Sequence, residues 1–220
     1  MPGTIPLRDC VEGCFGPRAA GPGRLIMICG FEGSGKTTQI GLAEAALGAA
    51  GHRVLVTRQP TEAFRQDPEV RRYLQMGGDG EQAMALARKV VADRHHHFET
   101  VLRPALTDGM MVLCDRYVFS SFALFAARGI DAPTIAALNR GIPRPDLAFY
   151  LDLSAEDLVR RLRAPDGQPQ KYDERSIASV APICAAFRAM AGPLILLEAA
   201  RPAEVIARDI RARIAALPRR

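Results

Sequence analysis

The sequence predicts an α/β protein built on a five-stranded parallel sheet with helices on both faces, and three observations lead there. The chain has 220 residues, 48% hydrophobic and 24% charged, enough for one domain with a sizeable core. Five short apolar runs are strand-sized, at residues 25–29, 54–57, 111–114, 147–153 and 194–197. Amphipathic stretches of helical period separate most of them, the pattern of parallel strands joined by right-handed helical crossovers. In such sheets ligands bind beyond the carboxyl ends of the strands.

Taken in order, residues 1–23 carry four prolines and five glycines without periodicity, and a flexible leader is expected there. The organised domain is expected over residues 24–220. Its first strand, 25–29, runs into a glycine-rich turn and a helix over 36–50. The strand at 54–57 is followed, after an irregular stretch, by a long amphipathic helix over 81–102. Strand 111–114 leads to helices over 118–127 and 132–139, and strand 147–153 to a helix over 155–163. Residues 177–190 and 202–217 read as helices flanking the last strand.

Composition narrows the function. No apolar run approaches the roughly 18–20 residues that span a bilayer, and the N-terminus lacks a signal-peptide pattern, so a cytoplasmic protein is expected. Five cysteines with no C-x-x-C pair read as reduced thiols, with Cys10 and Cys14 exposed and Cys29, Cys114 and Cys184 packed in strands or helices. A zinc site on Cys10 and Cys14 would need two further ligands, and none follow at matching spacing. The net charge of +5 comes from 26 Arg and only three Lys, namely Lys36, Lys89 and Lys171, against 24 acidic residues.

The first strand ends in GFEGSGKTTQ, which puts Gly30, Gly35, Lys36 and Thr37 in the G-x-x-x-x-G-K-[ST] spacing. Glycines let the backbone turn tightly and approach phosphates, with successive N–H groups aimed at an anion on a helix N-terminus. Gly30, Phe31, Glu32, Gly33, Ser34, Gly35, Lys36, Thr37 and Thr38 are therefore expected to bind ATP. Lys36 would reach the β- and γ-phosphates, and the Thr37 hydroxyl would ligate Mg²⁺.

Further motifs follow in order: Thr57-Arg58-Gln59-Pro60, Ala92-Asp93-Arg94, VLRPALTDGMMVLCDRYVFSS and PDLAFYLDL. With the phosphate loop they resemble the thymidylate kinases, a branch of the P-loop nucleoside-monophosphate kinases, from about residue 24 to residue 217. The resemblance implies a P-loop NTPase three-layer α/β/α fold with a helical lid, and transfer of phosphate from ATP to thymidine monophosphate. It also implies that Arg58 contacts the acceptor phosphate, Arg94 reads the base and Asp115 and Arg116 stand at the end of the third strand. Ser121 would hydrogen-bond a base edge. Glu32 stands where the family usually has Asp and would contact the sugar 3′-hydroxyl. A homodimer packed through the long helices is implied as well.

The chemistry asks for these residue types independently. Phosphoryl transfer between two anions is mostly positioning and charge neutralisation. Arg58 and Arg116 are expected to grip the acceptor phosphate as bidentate forks. Asp115 would orient Arg116 or hold the water shell of Mg²⁺. The stretch RRLRAPDGQPQKYDER, about residues 160–175, has five cations, two prolines and a glycine, as a mobile lid over ATP requires. Arg160, Arg163 and Lys171 are its candidate catalytic cations, with Arg161 beside them, and either Asp173 or Glu174 matches the family's lid acid.

Two positions depart from the family pattern. Val90 stands where a phenylalanine generally stacks on thymine, and Leu124 where a tyrosine crowds the sugar 2′ position; Phe119, Phe122 or Phe125 could restore the lost stacking. The alternative is therefore a kinase for another nucleoside monophosphate or related small acceptor. Nucleic-acid binding, suggested by the pI of 9.2, is not supported by any recognisable motif, and no membrane partner is expected. His95, His96 and His97 point about 100° apart on a regular helix and cannot share a metal. They read as one or two surface residues plus a partly buried one. Lys89 has no role that follows from the sequence.

Overall fold

The structure is a computed structural model that describes residues 5–162 and 176–218. Five strands form the expected parallel sheet: β2 (Arg24–Cys29), β3 (Val54–Arg58), β4 (Met111–Asp115), β6 (Leu147–Asp152) and β7 (Ile195–Glu198), in the order β3-β4-β2-β6-β7. Every residue of β2 is buried, as befits an apolar run at the middle of the sheet. Helix α2 (Lys36–Ala49) crosses from β2 to β3 and packs beside α11 (Ala203–Ala215). A second group packs together from α7 (Val118–Ala126), α8 (Ala132–Leu138), α9 (Ala155–Leu162) and α10 (Ile177–Arg188). No helix among the described residues is long and apolar enough to cross a membrane.

Register places the chemistry. Ile28 pairs with Asp115 and Asp115 with Arg58, so the carboxyl ends of three adjacent strands lie in one row. The glycine-rich turn leaves β2 one residue beyond that row.

The long helix differs from its expected span. It begins at Gly80, behind a capping box in which Asp79 and Gln82 satisfy each other's backbone N–H groups, and runs as α5 (Gly80–His97). It then widens into a π-helical turn, Phe98–Leu102, before closing as α6 (Arg103–Thr107). Pro104 supplies the reason: in a regular α-helix its ring would strike the carbonyl of Thr100, and the wider turn gives that ring room. Two short helices that sequence periodicity did not show, α3 (Glu62–Gln66) and α4 (Pro68–Met76), fill the stretch between β3 and α5. Lys89 holds them, its ammonium donating to Asp67 at 2.8 Å and Glu69 at 2.6 Å.

The expected flexible leader is corrected over its described part. Residues Leu7–Cys14 form α1, which packs on α8 and α7, with Cys10, Val11 and Cys14 buried. The next two residues, β1 (Phe15–Gly16), pair in parallel with β5 (Ile142–Pro143), and the Gly141 N–H donates to the Cys14 carbonyl at 2.8 Å. Phe15 lies against Phe119 with ring centroids 5.7 Å apart, and the Arg144 guanidinium carbon lies over the Phe15 ring, 5.2 Å from its centroid. Proline and glycine counts pointed to looseness; eight residues between Pro6 and Phe15 carry enough apolar surface on one face to dock. Cys10 and Cys14 are accordingly buried rather than exposed. Burial pushes the Cys14 and Cys29 thiols up to about 12, which keeps them protonated and unreactive.

Two glycines test this docking with opposite signs. A Cβ on Gly16 would meet the Gly141 carbonyl oxygen at 2.7 Å, a backbone atom that cannot step aside. Gly16→Val is expected to cost about 1–3 kcal/mol in denaturant unfolding. Gly13, exposed on α1 with open space around it, is expected to gain about 0.5–1 kcal/mol as Gly13→Ala.

Candidate active site

The turn after β2 is shaped by its glycines. A Cβ on Gly30 would sit 2.3 Å from the Ser34 hydroxyl, and Gly35, at φ 95°, occupies the left-handed conformation immediately before α2. No side chain caps the N-terminus of α2, so its positive dipole end and free N–H groups face the loop. Lys36 is buried and folds back to donate to the Phe31 carbonyl at 3.0 Å, with Glu32 3.8 Å away. Burial lowers its pKa from 10.5 to about 8, and the Arg116 charge lowers it too, against the opposing pull of Glu32 and Asp115. Ser34 keeps a buried hydroxyl without a hydrogen-bond partner, while Thr37 and Thr38 are exposed at the helix start. The nine expected ATP-binding residues are thus contiguous around one cradle.

Beside the cradle, β4 ends in Asp115 and Arg116. Arg116 has φ 69°, uncommon for a non-glycine residue, and its N–H donates to the Ile28 carbonyl at 3.0 Å. That backbone turn brings its buried guanidinium 3.2 Å from the Glu32 carboxylate. Glu32 therefore lies between Lys36 and Arg116, linking the two halves of the site. Asp115 has one buried carboxylate oxygen with no hydrogen-bond partner. That carboxylate oxygen and the exposed Thr37 hydroxyl are hard oxygen donors of the kind Mg²⁺ takes. Among the described residues no cluster of three or more His, Cys, Asp and Glu side chains offers an all-protein cage.

A cavity opens beside the phosphate loop, with Glu32 and Arg116 on its lining. Its walls are apolar, from Phe31, Phe64, Leu74, Leu86, Val90, Leu124 and Phe125. Its polar side chains include Arg94, Ser120 and Ser121, with Arg65 and Arg128 also on the lining. Arg94, carried by α5, is buried and makes three hydrogen bonds to neutral groups: Nε to Gln59 Oε1 at 3.2 Å, one terminal nitrogen to Ser121 Oγ at 2.6 Å, and the other to Asn139 Oδ1. The Tyr117 ring lies 5.9 Å from its guanidinium carbon. Among the described residues these three bonds use three of the five N–H donors of an arginine.

The sequence-selected residues assemble unevenly. Glu32, Val90, Arg94, Arg116 and Ser121 all line the cavity. Arg58 does not: it is exposed at the end of β3 and pairs with Glu62 on α3. Arg65 stands on the lining instead, held through Nε to the Pro60 carbonyl at 3.0 Å. Burial, then the neighbouring Arg116 and Arg58 charges, lower its pKa. Neither Arg65 nor Phe64 was selected from sequence, because α3 is only five residues long and shows no period. Of the aromatic candidates, Phe125 lines the cavity, while Phe119 and Phe122 are buried in the core.

Arg163 and Lys171, with most of the lid, lie outside the described residues. At the lid's start Arg160 pairs with Asp157 on its own helix, while Arg161 reaches back to donate to the Gly33 carbonyl at 3.1 Å. Arg161 is thus the described lid cation that touches the phosphate loop.

Comparison with known proteins agrees with this geometry. The thymidylate kinase family model matches residues 28–210. A probable thymidylate kinase of Pyrococcus horikoshii is 37% identical over 145 residues, covering 64% of this chain and 70% of the relative. The thymidylate kinase of Magnetococcus marinus is 34% identical over 197 residues, covering 86% of this chain and 93% of the relative. That of Nitrobacter hamburgensis is 37% identical over 164 residues, with 71% and 70% covered. With the phosphate loop and all but the start of the sheet inside that match, the chain belongs to the thymidylate kinase family.

Proposed function

We propose that the protein transfers the γ-phosphoryl group of ATP to thymidine monophosphate, giving thymidine diphosphate and ADP. The observation that carries this reading is the polarity of the acceptor cavity. A cation with neutral partners, Arg94, sits among apolar walls where a base fits, and Arg116 and Arg65 stand on the lining next to the phosphate loop. A nucleoside monophosphate has that same order of groups, from neutral ring to anion. Thr37 and Asp115 would hold Mg²⁺, which would supply charge neutralisation at the donor phosphates.

The chain's own groups divide the remaining work. The loop backbone and the α2 N-terminus cradle the donor phosphates, and Lys36 swings from the Phe31 carbonyl onto the β- and γ-oxygens. Arg116 and Arg65 hold the acceptor phosphate in line, so that its oxygen attacks the γ-phosphorus as the bond to the β-bridging oxygen breaks. Glu32 orients Arg116 and receives the sugar hydroxyl. Arg161 and, from the lid, Arg163 and Lys171 add cations around the transferring group and exclude water.

A second reading has its own observation: Val90 and Leu124 line the cavity as aliphatic side chains. They offer van der Waals contact without a π-face, which favours a different or broader range of nucleoside monophosphates. A panel of monophosphates with Mg-ATP decides between the two. Thymidine monophosphate is expected to give the highest kcat/KM; ADP release with another monophosphate alone would select the second reading, and none above background would overturn both. A homodimer and a cytoplasmic location, both carried from the family resemblance and the sequence, belong to this proposal. Sedimentation of the purified chain checks the dimer.

Three outcomes test the roles. Lys36→Ala is expected to lower kcat by about 10²–10³-fold, with the circular dichroism of the fold retained. Arg65→Ala is expected to raise the KM for the monophosphate about tenfold and leave that for ATP unchanged. Because burial holds the free Lys36 ammonium at about 8, phosphates that replace its carbonyl contact would raise that value. ATP binding above that pH should then take up a proton and weaken as pH rises, which calorimetry in buffers of different ionisation enthalpy measures.

A further inference from the structure

The histidine run left one buried member without a task. His95 and His96 are exposed, but His97 is buried on the last turn of α5, three residues after Arg94. Its Nε2 lies 2.8 Å from the Thr57 hydroxyl and its Nδ1 2.9 Å from the Gln59 side-chain nitrogen. The other end of that amide, Gln59 Oε1, accepts from Arg94 Nε at 3.2 Å. Gln59 is 1% exposed, Arg94 2% and His97 5%, so solvent has almost no part in this chain of bonds.

Donor arithmetic fixes every atom in it. The Arg94 Nε–H can only donate, so it must meet the oxygen of the Gln59 amide, and the NH₂ end must then face His97. That NH₂ also only donates, so Nδ1 must present a lone pair. The one proton of a neutral imidazole is therefore on Nε2, where the Thr57 hydroxyl accepts it. A proton on Nδ1 would set two donors face to face. The amide would have to turn, and its NH₂ would then oppose Arg94 Nε–H.

We propose that His97 is a positioning residue for acceptor recognition: its neutral Nε2–H tautomer locks the Gln59 amide, and the amide locks the rotation of the Arg94 guanidinium. This rests on the reading of Arg94 as the base-contacting cation. Ser121 and Asn139 hold the two terminal nitrogens, but only Gln59 holds Nε among the hydrogen bonds of the described residues. Without that anchor the plane of the guanidinium can swing, and its donors no longer point at one place. The surroundings favour the neutral ring. Burial lowers the His97 pKa below 6.5; Asp93 on the same helix opposes and His96 reinforces this, while β3 presents the neutral groups Thr57 and Gln59.

The test combines a tautomer readout with kinetics on the full chain. With histidine rings labelled with nitrogen-15, the signals that vanish in His97→Asn are expected to report a neutral ring with its proton on Nε2 at neutral pH. A proton on Nδ1, or an imidazolium, would overturn the proposal. In kinetics, His97→Leu keeps bulk but removes both bonds, and should raise the KM for thymidine monophosphate about tenfold while leaving the KM for ATP unchanged. His97→Asn, whose Oδ1 can still accept from Gln59, should recover most of that loss. Equal effects of the two variants, or a parallel rise in both KM values, would mean a structural role and sink the idea. A wild type active on thymidine monophosphate whose His97→Leu variant keeps its KM removes this proposal alone. A wild type that phosphorylates no monophosphate removes the functional reading, and the positioning role with it.

Discussion

The burial of Arg94 sets terms that most of the acceptor side has to meet. A guanidinium taken out of water needs its N–H groups satisfied, or the cost exceeds what a domain of this size can spare. Here the partners come from three separate places: Gln59 just past β3, Ser121 on α7 and Asn139 at the end of α8. None is a carboxylate. A buried ion pair would have neutralised the charge; amide and hydroxyl partners orient it and leave its field open toward the cavity. The positions of β3, α7 and α8 relative to α5 are thus constrained by one side chain.

The basic lean of the chain resolves into one use of arginine and two of lysine. Arg94, Arg116 and Arg65 are forks, each fixed by a backbone or side-chain bond before any ligand arrives, which is what a planar donor with a rigid geometry allows. Lys36 is a point charge on a flexible stem, parked on a carbonyl that phosphate oxygens can replace. The distinction matters for a reaction in which the acceptor must be held still while the donor phosphates change their bonding. The remaining lysine of the described residues, Lys89, fastens α4 to α5, the helices that carry the cavity-lining Leu74 and Leu86.

How far the sequence could be read depends on period and on spacing. The three central strands were legible because apolar runs at the middle of a parallel sheet are continuous, the two edge strands because short apolar runs between helical stretches remain strand-sized, and the phosphate loop because its glycines and lysine have one spacing. Arg94 was found because Ala92-Asp93-Arg94 resembles a family motif, and Val90 because it stands four residues before that arginine, where the family generally has phenylalanine. Arg65 and Phe64 were not, since a five-residue helix has too few turns to show a face. Arg58 was chosen for its position at a strand end, yet the strand's last residue points to α3 and not to the cavity; alternation along a strand decides such matters, and edge strands with mixed exposure hide it. The brace formed by residues 7–16 was missed for a different reason. Its partners lie across more than half the chain, and no local pattern can announce a long-range contact.

That brace has a consequence for the order in which the molecule forms. Helix α1 has little to bury against until α8 and the strand at Ile142 exist, so its seat belongs to the long-range contacts that close late. Before it is seated, Cys10 and Cys14 are ordinary thiols in water, with about a few per cent present as the reactive thiolate at neutral pH. Once it is seated, burial raises both thiol pKa values, with Asp9 and Asp131 adding to the effect at Cys10, and the thiolate fraction falls. The same docking step that seats α1 beside the loop carrying Asn139 also closes the interval in which the chain is open to oxidation.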